Sequence, residues 1–342
     1  MKITLLTTGG TIASVESAEG YVPAIGGEQL LEACPMLQGF EHEVRIVDLF
    51  SKDSSNMHPA DWLIMAKSIR EHATGSDAII VLHGTDTLAW SASALSYLLN
   101  GLAVPVILTG SMLVSSAPDS DVPENIYAAF QFAVQMVMYK RRGVSVAFAD
   151  KLFHGPKISK IDSHRKDAFA SVDYPLLGEM KDKGDHKIAW LTAQVPVLSD
   201  RRPWKEDQPP FETEIALLPL FPGFKAKALQ AAIDRSPKAV VVEGYGSGGV
   251  PFMGENLLPA LESGIAKGIP IVLRTQSFFG GTEPALYEVG QKALSLGVLS
   301  AHDMTRESLM TKLMFLLPCC EKDRLATELQ TNFCDDLTDP VF

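Results

Sequence analysis

The sequence predicts a two-domain α/β protein: a larger N-terminal domain with a parallel-rich sheet between helices, and a smaller C-terminal α/β domain. Three observations carry this. Short apolar runs rich in β-branched residues alternate with helical spacing along most of the chain, the pattern of a parallel sheet wrapped by helices. The alternation weakens between about Gly178 and Glu212 and then resumes. The 342 residues suffice for two domains of ordinary size.

In the first domain, strands are expected at Ile3–Leu6, Val44–Leu49, Ala78–Leu82, Pro105–Thr109 and Val144–Phe148. The run Asp77-Ala78-Ile79-Ile80-Val81-Leu82 shows why: it is short, apolar and β-branched, as a fully buried strand is. Helices are expected at Pro59–His72, where Trp62, Ala66 and Ile69 share a face, and at Leu88–Leu99, where Leu88, Ala92, Leu95 and Leu99 do. A third is expected at Glu124–Tyr139, on Ile126, Phe130, Ala133 and Val137. The polar turns Lys181-Asp182-Lys183-Gly184-Asp185 and Ser199-Asp200-Arg201-Arg202-Pro203, followed by Pro209-Pro210, read as a connection. Domain one is therefore placed at 1–185, a linker at 186–212 and domain two at 213–342. In the second domain, strands are expected at Ile215–Leu218, Ala239–Val242 and Ile269–Leu273. Its helices are expected at Ala226–Asp234, Gly254–Ala266, Pro284–Leu294 and Thr305–Leu316.

Composition narrows the function. With 46% hydrophobic and 21% charged residues, the chain is typical of soluble globular proteins. Its net charge of −11 argues against a duplex-binding surface, so no nucleic-acid partner is expected. Cys34, Cys319, Cys320 and Cys334 form neither a disulfide framework nor a zinc pattern. They read as thiols of a reducing compartment. The first apolar run is too short for a signal peptide. No run of about eighteen apolar residues exists, so no membrane span is expected. The expected location is the cytoplasm.

Two turns carry the chemistry. The strand ending at Leu82 runs into His83-Gly84-Thr85-Asp86-Thr87, and a helix follows. The first strand runs into Thr7-Thr8-Gly9-Gly10-Thr11-Ile12-Ala13. Ligands of open α/β sheets bind beyond the carboxyl ends of strands, where both turns lie. The simpler reading of Asp86 or Thr87 is as the N-cap of the next helix. A second threonine turn of the same kind favours chemistry, with two hydroxyls able to point into one cleft. The first turn is not a Walker phosphate-binding loop, since no Gly-Lys-Ser/Thr follows.

Thr8–Ala13 and His83–Thr87 together resemble the two signatures of the bacterial-type L-asparaginases. The resemblance extends to Asp53-Ser54-Ser55-Asn56-Met57, Leu108-Thr109-Gly110-Ser111, Asp167-Ala168-Phe169-Ala170-Ser171 and Gly297-Val298-Leu299. The Asp-Ser-Ser-Asn-Met form is similar to the cytoplasmic, type I branch. The resemblance implies hydrolysis of L-asparagine to aspartate and ammonia through a covalent acyl-enzyme, without cofactor or metal. It matches Thr11 to the nucleophile, and Tyr21, on a segment resembling a mobile lid, to a proton-transfer partner. Thr85, Asp86 and Lys160 match a second catalytic cluster, with Asp86 expected to grip the substrate ammonium. Ser54 matches a carboxylate-binding serine, and Ser55 stands where secreted relatives carry glutamine. Backbone amides near Thr85 and Ser111 are candidates for stabilising the oxyanion, and Gly84, a substrate-binding candidate, lets a ligand approach the backbone. The resemblance further implies a homo-oligomer, a dimer or a dimer of dimers, in which Glu288 of one protomer approaches the amine bound by another. Some cytoplasmic members carry a regulatory site built on a threonine and a cysteine; Ser159 and Ser277 stand at those positions.

Two other readings compete. Gly244-Tyr245-Gly246-Ser247-Gly248-Gly249 follows a strand and fits a dinucleotide-binding glycine pattern. Pro251 comes at once, however, and no acidic residue clearly ends a next strand at the right spacing. A non-catalytic amino-acid-binding protein is the other alternative, and the five filled catalytic positions argue against it.

Overall fold

A computed structural model describes the chain except residues 11, 13, 18–19, 24–25, 33, 38–39, 183–186, 192–210 and 339–342, with 14–17, 20–23, 182 and 187 described by backbone alone. The chain divides into two compact units, Met1–Gln208 with Asn332–Asp336, and Pro209–Thr331 with Leu337–Phe342.

The first unit opens with β1 (Lys2–Gly9), the hairpin β2 (Ser14–Ser17) and β3 (Gly20–Pro23), and α1 (Gly27–Glu32). Then come β4 (Glu43–Lys52), α2 (Pro59–Ala73), β5 (Ala78–Leu82), α3 (Leu88–Leu98), β6 (Pro105–Thr109), α4 (Val122–Met138) and β7 (Gly143–Phe148). Five short strands follow: β8 (Lys151–His154), β9 (Ile158–Lys160), β10 (Phe169–Ser171), β11 (Gly178–Asp182) and β12 (Lys187–Trp190). The main sheet has the order β12-β11-β8-β7-β6-β5-β1-β4. From β4 to β7 the pairs are parallel; from β7 to β12 they are antiparallel. Every residue of β5 and β6 is buried, as apolar runs covered on both faces should be. On one face Leu5, Ile80, Leu82 and Ile107 pack with Ile126, Phe130 and Ala133 of α4. The segment Asn332–Asp336 belongs to this unit: Asn100 Nδ2 donates to Phe333 O at 3.1 Å, and Tyr174 Oη to Asp335 Oδ2 at 3.2 Å.

The second unit contains β13 (Ile215–Pro219), α5 (Ala226–Asp234), β14 (Ala239–Gly244), α6 (Leu258–Ala266), β15 (Ile271–Thr275), α7 (Glu288–Leu294), β16 (Leu299–Ser300), α8 (Arg306–Leu316) and α9 (Lys322–Leu329). Its sheet, β13-β14-β15-β16, is wholly parallel. Leu229 and Ile233 of α5 pack on Val240, Val242, Ile271 and Leu273.

The differences from expectation have local causes. The polar stretch from Gly178, read as the start of a connection, contains β11 and β12, the last two strands on one side of the main sheet, with β12 at its edge. Edge strands bury little and so lack a sustained apolar run. The helix expected from Gly254 begins at Leu258, because Gly254 has φ 69° and Pro259 favours the first turn of a helix. The helix expected from Pro284 is broken: Pro284–Leu286 is a separate 3₁₀ turn, Tyr287 is extended, and α7 starts at Glu288. The strand expected from Ile269 starts at Ile271, past Pro270, which has no amide to donate.

Candidate active site

The strand order creates the site. β1 pairs with β4 on one side and β5 on the other. The connection leaving β1 therefore runs one way and the connection leaving β4 crosses to the far side. That order makes the carboxyl ends of β1 and β5 a topological switch point, where a crevice opens. Both threonine turns lie there. Gly9 and Gly10 have φ 91° and 85°, a region open to glycine at little cost. A Cβ on Gly10 would lie 2.3 Å from Gly84 Cα, and one on Gly84 would lie 2.6 Å from Ser54 Oγ. The three glycines thus let three chain segments meet at backbone contact: the ends of β1 and β5, and the turn after β4.

At the β5 turn, Lys160 reaches in from β9. Its Nζ donates to Thr85 Oγ1 at 2.9 Å and to Asp86 Oδ1 at 2.7 Å. Lys160 is paired with Phe169 of β10 in a two-stranded sheet, which sets its direction. Thr85 is buried, the Lys160 side chain is 18% exposed and that of Asp86 is 60% exposed. A hydroxyl, a carboxylate and an ammonium group from positions 85, 86 and 160 therefore share one cluster.

The capping alternative fails on the hydrogen bonds. Thr87 stands at the N-cap of α3 but makes no side-chain capping bond; its hydroxyl donates to Ser54 O at 2.8 Å. Asp86 binds Lys160, while its amide donates to Ser54 Oγ at 3.2 Å. Ser54 is buried and joined to Asp86 and Thr87 by these two bonds, and so belongs to the cluster. Ser55 is exposed, and both its amide and its hydroxyl donate to Asp53 Oδ1.

Ser111 follows β6, beside the same crevice. Its hydroxyl donates to Leu113 O at 2.7 Å. The carboxylate of Asp121 binds the amides of Met112 and Leu113, each at 2.9 Å, and Asn125 Nδ2 donates to Gly110 O at 3.0 Å. The start of α4 thus fixes the Ser111 turn. Asp121 and Asn125 were not expected; the helix-start sequence Asp121-Val122-Pro123 is the signal that marks their place. Lys52 was also missed. It lies at the end of β4, its carbonyl accepts from Gly10 N at 2.8 Å, and its Nζ pairs with Asp61 at 2.6 Å.

Thr11 lies outside the described residues, between Gly10 and the buried Ile12. Tyr21 is on β3, opposite Glu16 of β2 in the hairpin, where the backbone alone is described. Glu288 belongs to the second unit, where it opens α7 and pairs with Lys292 at 3.1 Å. The glycine run after β14 closes on itself: Tyr245 N donates to Gly249 O and Gly249 N to Tyr245 O, at 3.0 and 2.7 Å. No helix begins until α6, so the helix N-terminus on which a dinucleotide phosphate rests is missing from this turn.

Among the described residues no group of three or more His, Cys, Asp or Glu side chains could hold a metal ion. No described helix is long and apolar enough to cross a membrane. Cys34 and Cys334 are buried and form no disulfide, and burial pushes the Cys34 thiol up to about 12.

Two family models match the chain, "Asparaginase, N-terminal" over residues 2–194 and "Glutaminase/Asparaginase C-terminal domain" over 214–329. The L-asparaginase of Thermococcus kodakarensis is 37% identical over 317 residues, covering 93% of each chain. A component of the glutamyl-tRNA(Gln) amidotransferase of Pyrococcus furiosus is 31% identical over 98% of this chain and 76% of its own length. A solved structure of the thermostable L-asparaginase from T. kodakarensis superposes with a TM-score of 0.89 at 33% identity, covering 99% of this chain and 100% of that one.

Proposed function

The chain belongs to the asparaginase family, and from that premise we propose that it hydrolyses L-asparagine to L-aspartate and ammonia through a threonine nucleophile. The observation that carries the reading is Lys160 Nζ bound at once to Thr85 Oγ1 and Asp86 Oδ1 at the switch point of the sheet. Thr11 attacks the side-chain amide carbon. Its Oγ–C bond forms, the C–N bond breaks, and the nitrogen leaves as ammonia with the proton from Thr11. Water then cleaves the ester, releasing aspartate and restoring the hydroxyl. A threonine hydroxyl needs help to act as a nucleophile, and Tyr21 assists its proton transfer. Thr85 and Lys160 form the second proton-transfer pair.

Asp86 grips the substrate ammonium, and Ser54 the α-carboxylate, with Ser55 beside it. Gly84 lets the substrate approach the backbone, and backbone amides at Thr85 and Ser111 face the tetrahedral oxyanion, where fixed donors are most effective. The working form is a homo-oligomer in the cytoplasm, with the domains divided at the part of the 186–212 stretch that follows β12, and Glu288 of a neighbouring protomer completes the amine site.

The test is ammonia release from L-asparagine, with L-glutamine and D-asparagine alongside and EDTA as a further arm. L-asparagine turnover that survives EDTA is expected, and Thr11→Val is expected to lower kcat by on the order of 10³-fold. Loss of turnover in EDTA with recovery on added zinc would overturn the metal-free mechanism. Sharing of sites is tested by co-refolding Thr11→Val with Glu288→Ala. If random pairing makes half the dimers mixed, each with one intact site, activity should recover to about a quarter of wild type. Recovery only to the mean of the two parents removes Glu288 from the shared site.

A further inference from the structure

His83 follows β5 and leads into the turn that carries Thr85; it is fully buried and, among the described residues, makes no hydrogen bond to the proton-transfer cluster of Thr85, Asp86 and Lys160. Its surroundings fix it from three sides. Trp62 Nε1, on α2, donates to Ser91 Oγ at 2.9 Å. Ser91, on α3, lies 2.9 Å from His83 Nε2, and His83 Nδ1 lies 2.7 Å from Gly84 O. An indole N–H only donates and a carbonyl only accepts, so with a neutral ring the chain of bonds has a single direction. Trp62 donates to Ser91, Ser91 donates to Nε2, and Nδ1 carries the ring proton and donates to Gly84 O. Burial pushes the ring down to about 4, against the Gly84 hydrogen bond and the charge of Asp61, both of which raise it. The imidazole is therefore neutral near pH 7, and the bonds run in this direction. The main chain is held as well: His83 N donates to Thr109 O at 2.8 Å, and a Cβ on Gly110 would lie 2.3 Å from His83 O.

The bond to Gly84 O acts on the peptide that leads into Thr85. In a planar trans peptide the C=O and N–H point in opposite directions. With the carbonyl turned inward to the ring, the Thr85 amide is turned outward. We propose that His83 is a positioning residue that locks the Gly84–Thr85 peptide, so that the Thr85 amide faces the carbonyl oxygen of the substrate. The proposal rests on the reading of this site as an amide hydrolase. An apolar side chain would fill the same space without burying two ring nitrogens that must both be satisfied; the bond to the peptide is what the imidazole adds.

Two experiments test it. In ¹⁵N-histidine-labelled wild type, with His83→Asn to assign the signal, the ring of His83 should show a protonated Nδ1 and a bare Nε2. A protonated Nε2 overturns the proposal without reference to activity or to any variant's folding. The second compares His83→Asn, whose amide can still reach Gly84 O, with His83→Gln, whose amide reaches instead toward Ser91. For His83→Gln, kcat should fall by on the order of tenfold with KM nearly unchanged, as for a mis-aimed oxyanion donor, while His83→Asn keeps most of the rate. Equal losses in the two variants, tracking their melting temperatures, would reduce His83 to a structural filler. If wild type itself releases no ammonia from asparagine, the functional reading fails and the tautomer measurement still decides the geometry.

Discussion

Lys160 places its charge where two functions meet. Its contact with Asp86 is half open to water, since the aspartate side chain is 60% exposed. Pairs of that kind contribute about 1 kcal/mol or less to stability. The contact with Thr85 is different in kind, because a buried hydroxyl receives a donor that can also carry a proton. Removing the ammonium should therefore affect rate far more than folding. Lys160→Met is expected to lower kcat by on the order of 10³-fold, about 4 kcal/mol of transition-state stabilisation, with a urea midpoint close to wild type. Thr85→Val should fall by a similar factor, and the double variant by little more than either, since one proton path is broken in each. Additive losses in ammonia release would show that the two residues act separately.

At the scale of elements, the parallel strands are the most legible part, because each is a short apolar run buried on both faces. β5 spans Ala78–Leu82 and β6 Pro105–Thr109, as the sequence predicts. The two turns can be found as motifs, and their meeting follows from strand order. That order cannot be read locally: nothing in the sequence of β4 says that it lies beside β1. Lys160 is reached only by resemblance, since a lysine on a three-residue strand carries no periodicity. Asp121 has no place in the sequence reading and His83 no role beyond its motif for a related reason, as each holds backbone groups, which leave no pattern. The glycine contact gives a direct test of the element packing. Gly10→Ala adds a Cβ only 2.3 Å from Gly84 Cα, at a φ of 85°. It should cost about 1–3 kcal/mol in stability and push the Thr11 and Thr85 turns apart. Urea unfolding and ammonia release should therefore both suffer. A fully active, equally stable Gly10→Ala protein would mean that the two turns do not meet as described.

For the whole molecule, acid stability should be governed by the first unit, which buries two neutral imidazoles. His83 is pushed down to about 4 chiefly by burial. His154 is pushed down to about 4 by burial and by Lys157, against the Cys334 carbonyl, Asp335 and Asp336, which raise it. His154 Nε2 lies 2.7 Å from Cys334 O, so this ring fastens the Asn332–Asp336 segment to its unit. The second unit's histidine, His302, is exposed. Both buried rings have folded values below the unfolded value near 6.5, so between about 4 and 6.5 the unfolded chain binds more protons than the folded one. Their stabilising contribution is complete above pH 6.5 and is lost as pH falls toward 4. Near pH 5 unfolding should take up roughly two protons, a slope of about 2–3 kcal/mol per pH unit. Carboxylates depressed by their partners, such as Asp234 beside Lys267, add to the loss in the same direction, but mainly below their unfolded values near 4. Urea midpoints between pH 5 and 7 therefore isolate the histidines. His154→Gln should halve the slope in that interval, and where two transitions are resolved, only the one belonging to the first unit should move with pH. A midpoint independent of pH from 7 to 5 would mean that neither ring is held neutral in the fold.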